Sequence, residues 1–168
     1  MTKLLVVRGD PVRGKDTHEV MGNATNPSPP PPTVAYPPSG IATGRFDYVG
    51  SMTEALSDLV LIGGRPVAVV SSGSSLDTGQ DTPPGGKHSG PAGSAFQPTA
   101  PAPLAATLSI TDSIGPGHPS ATAGSAFVTV NGVAVLLDGD RIDTCDAMGA
   151  TGNSTVSAAG QSLVTASE

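Results

Sequence analysis

The sequence predicts a mainly β fold built from repeated short hairpins, and three observations support this prediction. The chain of 168 residues contains 22 glycines and 17 prolines, which interrupt helices and favour short strands joined by turns. β-Branched runs flank glycine-containing turns in VLIGGRPVAVVSS and FVTVNGVAVLL, a pattern typical of hairpins. The segment from Gly124 to Val135 also resembles the segment from Gly152 to Val164. The two align without a gap from their first residues, so that Gly132 matches Gly160.

The chain has the length of a single domain, residues 1–168, with two long loops. A first strand, KLLVV, lies within residues 1–8. The segment 22–40 is rich in proline, which excludes helix and sheet interior, so we expect an extended, polyproline-like loop. Residues 73–123 are rich in Gly, Pro, Ser and Ala, and we expect a long surface excursion there.

At most one short helix is expected, near residues 52–59. Ser51 and Glu54 in SMTE match a capping box, and MTEALSDL has room for two helical turns. The alternative is a turn that runs directly into a strand. The hairpin around Gly63 and Gly64 then follows in either case.

Composition excludes several classes of protein. The net charge is -6, with only 8 lysines and arginines, so no basic surface for nucleic acid is expected. The longest apolar runs, LLVV and LVLI, are much shorter than a bilayer is thick, and the N-terminus does not resemble a signal peptide. We therefore expect synthesis in the cytoplasm without a signal peptide. The single cysteine excludes an internal disulfide.

The chain has four soft metal ligands: His18, His88, His118 and Cys145. Three His and one Cys make one complete tetrahedral zinc shell, and all four stand in turn-like contexts beside Gly, Pro or Asp. Such widely spaced ligands have no local signature, so the alternative is three exposed loop histidines and a free thiol. A shell filled by protein is typical of structural zinc, whereas a catalytic zinc keeps an open position.

Two enzymatic motifs were considered. GDPVRGKDT follows a strand and fits the GxxxxGK phosphate-binding loop, but Asp16 occupies the position of the magnesium-binding Ser or Thr, and the segment that follows cannot supply the required helix. The sequence contains no GxSxG nucleophile elbow, and its acidic residues lie in polar turns. We therefore expect neither a nucleotide site nor a catalytic centre.

Three segments resemble the units of the PAAR (proline-alanine-alanine-arginine) repeat proteins, which cap the spikes of contractile injection systems. GDPVRGKDTHEV is similar to the turn from a GD pair to a histidine, and GSAFVTVNGVAVLLDGD to the hairpin and return strand. DRIDTCDAMGATGNSTVSAAG is similar to the final cysteine turn. The return strands GRPVAVV and NGVAVLL lack the namesake motif. The absence of that motif and the presence of two long loops make the chain more similar to the tip proteins of phage-tail-derived extracellular particles than to the compact type VI secretion form.

The resemblance implies a small β cone with one structural zinc ion near its apex, bound by His18, His88, His118 and Cys145. It implies that the base sits on a trimeric spike protein, of VgrG-like or phage hub type. The expected function is a structural, non-enzymatic tip that caps and sharpens the spike to puncture a target envelope, with transient contact with the target membrane. Such a tip is assembled on the injection particle and delivered outside the cell or into a target.

Two alternative functions are retained. The first is a PAAR-type carrier or adaptor whose loops at 22–40 and 73–123 recruit a separate effector cargo. The second is a small zinc hydrolase, which would need an exchangeable water on its metal.

Overall fold

The computed structural model describes residues 1–25, 33–36, 42–78, 97–98, 105–110, 112, 114–145 and 152–168. These residues form a mainly β structure without a helix, and hence without a helix able to span a membrane. Their strands are β1 (Thr2–Leu4), β2 (Pro11–Thr25), β3 (Thr33–Tyr36), β4 (Ala42–Glu54), β5 (Ser57–Ile62), β6 (Arg65–Val67), β7 (Gly73–Leu76), β8 (Gln97–Pro98), β9 (Ala105–Ile110), β10 (Gly117–Pro119), β11 (Thr129–Val130), β12 (Val133–Ala134), β13 (Arg141–Thr144), β14 (Ser154–Val156) and β15 (Thr165–Ser167).

Three short apolar segments meet in a closed ring of backbone hydrogen bonds. The amide of Val6 donates to the carbonyl of Leu136 (3.0 Å), that of Leu136 to Ala68 (2.9 Å), and that of Ala68 back to Val6 (2.9 Å). All three residues are fully buried. The ring segments at 5–7, 67–69 and 135–137 therefore make equivalent contacts about one axis. We call each ring segment, together with the hairpin that leads into it, a unit. A second set of bonds repeats the pattern: Arg8 to Pro66, Val70 to Ala134 and Asp138 to Leu4.

A continuous hairpin precedes the ring segment in two of the units. β5 and β6 enclose Gly63 and Gly64, whose φ angles are 57° and 80°. β11 and β12 enclose Asn131 and Gly132, with φ angles of 50° and 79°. Two-residue turns that match the twist of a hairpin require positive φ at both positions, which Gly and Asn tolerate best. Both hairpins predicted from the sequence are confirmed.

The third hairpin is formed by the two ends of the chain. β1 and β15 pair antiparallel, with Leu4 opposite Thr165, in the place that a continuous hairpin occupies in the other units. The amide of Leu5 donates to the carbonyl of Val164, which extends this pairing toward the ring. The predicted first strand is thus present, and its partner comes from the opposite end of the sequence.

One polar side chain closes the turn after each ring segment. These side chains belong to Asp10, Ser72 and Asp140, and each accepts a hydrogen bond from the amide three residues earlier. Each also binds the segment that leads into a hairpin. The two carboxylates accept an amide there, whereas the Ser72 hydroxyl donates to a carbonyl, so residue type matches the partner in each unit. Asp10 accepts from the amide of Gly160, Asp140 accepts from the amide of Gly124, and Ser72 donates to the carbonyl of Ala55.

The same contacts correct the repeat predicted from the sequence. Gly160 and Gly124 each donate to a turn carboxylate, so they are counterparts and GQSLVTA matches GSAFVTV. The predicted match of Gly160 with Gly132, aligned from Gly152, is wrong. Gly132 lies in a hairpin turn with a φ of 79°, whereas Gly160 precedes its hairpin.

The strands that leave the ring close into a small antiparallel barrel of six strands. The order is β2, β14, β13, β10, β7 and β4, and β4 pairs again with β2. β3 and β9 flank the far part of β2, and β8 pairs with β4. Alternate residues of β2 face inward, so Val12 is buried whereas Arg13 and Lys15 are exposed. On the outside, Lys15 forms an ion pair with Asp47 of β4.

The barrel interior is narrow and changes from apolar to polar away from the ring. A Cβ atom at Gly14 would lie 2.1 Å from Ser154 Oγ, and one at Gly117 would lie 2.5 Å from Ser74 Oγ. Such close approach requires glycine at inward positions. The interior side chains beside the ring are apolar, and those further along form hydrogen bonds with one another, as in the 3.0 Å contact between Tyr48 Oη and Ser74 Oγ.

The predicted helix near residues 52–59 is wrong. Residues up to Glu54 continue β4, and Ser57 begins β5, so the alternative of a turn into a strand is correct. Met52 is fully buried in the barrel, and the Ser51 hydroxyl donates to Asp77. Burial of an alternating strand face outweighs the local capping pattern.

Both predicted loops contain strands. In the segment 22–40, residues up to Thr25 belong to β2, and β3 pairs with them. In the segment 73–123, β7 and β10 are members of the barrel, and β8 and β9 add to its outside. The rest of both segments lies outside the described residues, apart from short stretches around 77–78, 112 and 114–123.

Candidate functional site

A buried group of metal-binding residue types lies inside the barrel. Asp16 and His18 are two residues apart in β2, so strand alternation places both inside, and both are fully buried. Cys145 directly follows β13 and has a φ of 48°, which keeps it buried after the inward-facing Thr144. This left-handed conformation is uncommon for a cysteine, and such strain concentrates at functional sites.

The geometry of the group is close to that of a first coordination shell. One ligand atom from each of Asp16, His18 and Cys145 lies within 4.8 Å of the others. In a tetrahedral zinc site, bonds of about 2.0–2.3 Å put two ligands roughly 3.3–3.8 Å apart, so the ligand atoms would have to approach one another by up to about 1–1.5 Å on binding. Oxygen, nitrogen and sulphur are the three donors that zinc takes from proteins. The group can therefore hold a metal ion.

The Asp16 carboxylate is oriented by two neighbouring strands. Its Oδ1 atom accepts hydrogen bonds from the Thr144 hydroxyl (2.5 Å) and from the Asn153 side-chain amide. Asn153 in turn accepts from the Thr144 amide through Oδ1 (2.9 Å). This network connects β2, β13 and the start of β14, so the carboxylate is fixed by the barrel itself.

The His18 ring is oriented by a carboxylate and by an aromatic ring. Its Nδ1 atom lies 3.1 Å from Oδ1 of Asp112. An ionised carboxylate only accepts, so Nδ1 donates this bond, and the lone pair of a neutral ring is then on Nε2. Phe46 packs edge-on against the imidazole, with centroids 5.7 Å apart at 70°. These contacts define both the plane and the tautomer of the ring.

The Cys145 thiol lies in a low-dielectric environment beside a carboxylate. Its Sγ atom is 3.5 Å from the carbonyl oxygen of Gly115, to which the thiol donates. Burial, and then the negative charge of Asp16, raises the pKa of this thiol far above its usual range. A bound cation reverses that balance, because a coordinating thiol is deprotonated outright. Metal binding and ionisation of Cys145 are therefore coupled.

Of the four ligands predicted from the sequence, the described residues bring His18 and Cys145 together. His118 lies in β10 with its side chain exposed, because its neighbour Gly117 occupies the inward position of that strand. It is not a member of the buried group. His88 lies outside the described residues.

The sequence patterns predict neither Asp16 as a ligand nor Asp112 as the outer partner of His18. Asp16 was considered only as the residue that spoils a phosphate-binding loop, and that segment is in fact part of the long strand β2. The useful signal was the spacing of Asp16 and His18 by two within a strand. Asp112 has no comparable signal, because its contact with His18 spans 94 residues.

A second candidate site consists of three exposed apolar side chains, one in each unit. Leu59, Phe127 and Leu163 are 74%, 74% and 79% exposed. The backbone amide of each donates a hydrogen bond to the polar side chain two residues earlier, so the three positions are structurally equivalent. These polar side chains belong to Ser57, Ser125 and Gln161. We call Leu59, Phe127 and Leu163 the apolar triad.

Comparison with protein-family models, curated proteins and solved structures finds no match to this chain.

Proposed function

We propose that this chain is the structural, non-enzymatic tip of a contractile injection machine. In this function a small β cone caps the end of a trimeric spike, sharpens it and punctures a target envelope. The observation that carries the proposal is the apolar triad. Three large exposed side chains at equivalent positions about one axis are suited to a partner with threefold symmetry.

The backbone ring supports this geometry. Equivalent positions about an axis lie at the same level along it, so Leu59, Phe127 and Leu163 present three matched apolar contacts. A chain with one such apolar side chain could contact only one subunit of a trimer in this way. This chain has three, so it can make the same contact with each of the three subunits. Burying one Leu or Phe side chain contributes about 1.5–3 kcal/mol, so the three together account for a large part of a stable docking interaction.

A metal ion, zinc in this proposal, stabilises the part of the barrel that lies away from the ring. His18, Asp16 and Cys145 would supply three of the four ligands of a structural zinc, and the ion would connect β2 with the end of β13. A structural zinc contributes on the order of 10 kcal/mol of apparent folding free energy in small domains. The polar interior here offers little hydrophobic stabilisation, so a metal would resist mechanical load at this end.

The cellular setting follows from the same proposal. The tip is synthesised in the cytoplasm, is assembled on its trimeric spike and leaves the cell with the injection particle. The chain has a net charge of -6. Contact with the target membrane is brief and mechanical.

The test is reconstitution with the trimeric spike protein of the same particle. We expect one chain per spike trimer, measured by mass photometry or light scattering. Replacing any member of the apolar triad by Ser should weaken docking by about 10- to 100-fold, the loss expected for one buried apolar side chain. Leu61→Thr is the matched control, because Leu61 is also exposed (56%) but its counterparts in the other units are Thr129 and Thr165. Equal losses for Leu61→Thr and Leu59→Ser would contradict the proposed docking face.

A further inference from the structure

We propose that Asp112 is a positioning residue of the metal centre: it holds His18 in the tautomer that presents Nε2 to the ion. This inference rests on the metal site of the proposed function, and it adds a residue that is not a ligand itself. It is carried by two contacts of Asp112, one with the His18 ring and one with the backbone amide of Glu19.

Asp112 is well placed to orient the ring. Its Oδ1 atom lies 3.1 Å from His18 Nδ1, and the same oxygen accepts the backbone amide of Glu19 at 3.2 Å. The carboxylate is thus anchored to the strand that carries the ligand, one residue further along β2. Its side chain is 21% exposed, whereas the His18 side chain is fully buried. A partly shielded carboxylate outside a buried imidazole is a common outer partner of metal-binding histidines.

The charges of the group are consistent with this division of roles. A divalent ion with the Asp16 carboxylate, the Cys145 thiolate and a neutral His18 is electrically neutral, which suits complete burial. Only a neutral imidazole can bind a metal, and it does so through the nitrogen without a proton. Because Asp112 accepts a hydrogen bond from Nδ1–H and so keeps the proton on Nδ1, Nε2 becomes the binding atom. Asp112 also increases the basicity of His18 as a ligand.

The two carboxylates near His18 therefore have different functions. Asp16 belongs to the group whose ligand atoms lie within 4.8 Å of one another, and Asp112 contacts that group through the imidazole. Loss of Asp16 removes a ligand. Loss of Asp112 leaves all three ligands present and changes the orientation and tautomer of one of them.

The experiment measures binding of Co²⁺ and Zn²⁺ to the purified full chain. Co²⁺ is followed by its thiolate charge-transfer and ligand-field absorption, and Zn²⁺ by competition with a chromophoric chelator. We expect Asp112→Ala to weaken binding of both metals by 10- to 100-fold, as outer partners of metal-binding histidines generally do when removed. Asp112→Asn keeps an acceptor for Nδ1–H but not the charge, so its loss should be smaller than that of Asp112→Ala.

Asp77→Asn is the matched control. Asp77 also accepts a side-chain hydrogen bond, from Ser51 (2.6 Å), but on the outside of the barrel. Its metal affinity should equal that of the unchanged chain. Urea unfolding of the metal-free variants tests whether Asp112 acts only through the fold.

The outcomes separate the two claims. If the unchanged chain binds Co²⁺ through its thiolate but Asp112→Ala changes the affinity by less than twofold, the inference is overturned and the metal site stands. A loss equal in Asp112→Ala and Asp112→Asn, or one matched by Asp77→Asn, also overturns it. If the unchanged chain binds neither metal, the metal site falls together with this inference, while docking through the apolar triad is tested separately.

Discussion

Asp10 offers the most direct test of the threefold construction. Its side chain is fully buried, and its carboxylate accepts the amides of Val7 (2.7 Å) and Gly160 (2.6 Å). The first bond closes the turn after a ring segment, and the second attaches the segment that leads into the terminal strand β15. Asp10→Ala removes both bonds at once and leaves two amides without this acceptor.

The expected cost follows from these two bonds. An amide that loses its acceptor in a buried position costs about 1–3 kcal/mol, so Asp10→Ala should lower the free energy of unfolding by about 2–6 kcal/mol. Ser72 is the counterpart of Asp10, but its hydroxyl makes uncharged bonds to Val69 and Ala55. Uncharged bonds contribute about 1 kcal/mol each, so Ser72→Ala should cost about 2 kcal/mol or less.

Urea unfolding, monitored by circular dichroism, measures both losses of stability. Each should appear as a lower urea concentration at the midpoint with an unchanged dependence of the unfolding free energy on urea concentration. Asp58→Ala is the control, since Asp58 is an exposed carboxylate of β5. It should change stability by less than about 0.5 kcal/mol. If Asp10→Ala costs no more than Asp58→Ala, the turn carboxylates do not hold the units together. A larger cost for Ser72→Ala than for Asp10→Ala would also contradict the reasoning.

Four further predictions follow from the same contacts. Burial raises the pKa of the Asp10 carboxyl, so the free energy of unfolding of the unchanged chain should fall as pH rises through that pKa. Asp10→Asn has no ionisable group at this position and should not show the fall. The difference in unfolding free energy between Asp10→Asn and the unchanged chain should therefore shift in favour of Asp10→Asn as pH rises. Gly14→Ala places a Cβ atom 2.1 Å from Ser154 Oγ and should cost at least about 1–3 kcal/mol, measured by thermal unfolding. Cys145→Ser should abolish stoichiometric zinc, measured by elemental analysis, whereas His118→Ala should retain it because that ring is exposed. Deleting residues 161–168 should abolish docking while zinc binding persists, because the barrel strands end at Val156.

Each of these has an outcome that would contradict it. A pH dependence in Asp10→Asn identical to that of the unchanged chain would show that another group is responsible. Loss of zinc in His118→Ala would return His118 to the ligand set that the sequence predicts, and His88→Ala tests the remaining predicted ligand in the same assay. A deletion variant that still docks would show that Leu163 is dispensable.

Local sequence patterns predicted the hairpins correctly where backbone conformation alone decides. Gly63, Gly64, Asn131 and Gly132 adopt positive φ, which few other residues tolerate, so their positions are visible in the sequence. The capping pattern at Ser51 failed for the opposite reason. Its segment is part of a buried strand, and tertiary burial outweighs the weak preference of a few residues for a helix.

The candidate site was only half predictable. His18 and Cys145 were recognised because their residue types are scarce in this chain. Asp16 was not, because carboxylates are common and only closure of the barrel brings this one beside Cys145. The contact between Asp16 and Thr144 spans 128 residues, and no local pattern encodes a pairing of that length.

The pairing of β1 with β15 has a consequence for how the protein is made. Residues 2–4 are synthesised long before their strand partner, residues 165–167, and Asp10 is synthesised long before its partner amide, which lies 150 residues later. The third hairpin can therefore form only after residues 165–167 have been made, and closure of the long loop between its two strands must precede it. Before those residues are made, Leu4 and Leu5 lack the strand partner that they have in the folded chain, and an unpaired apolar strand favours aggregation.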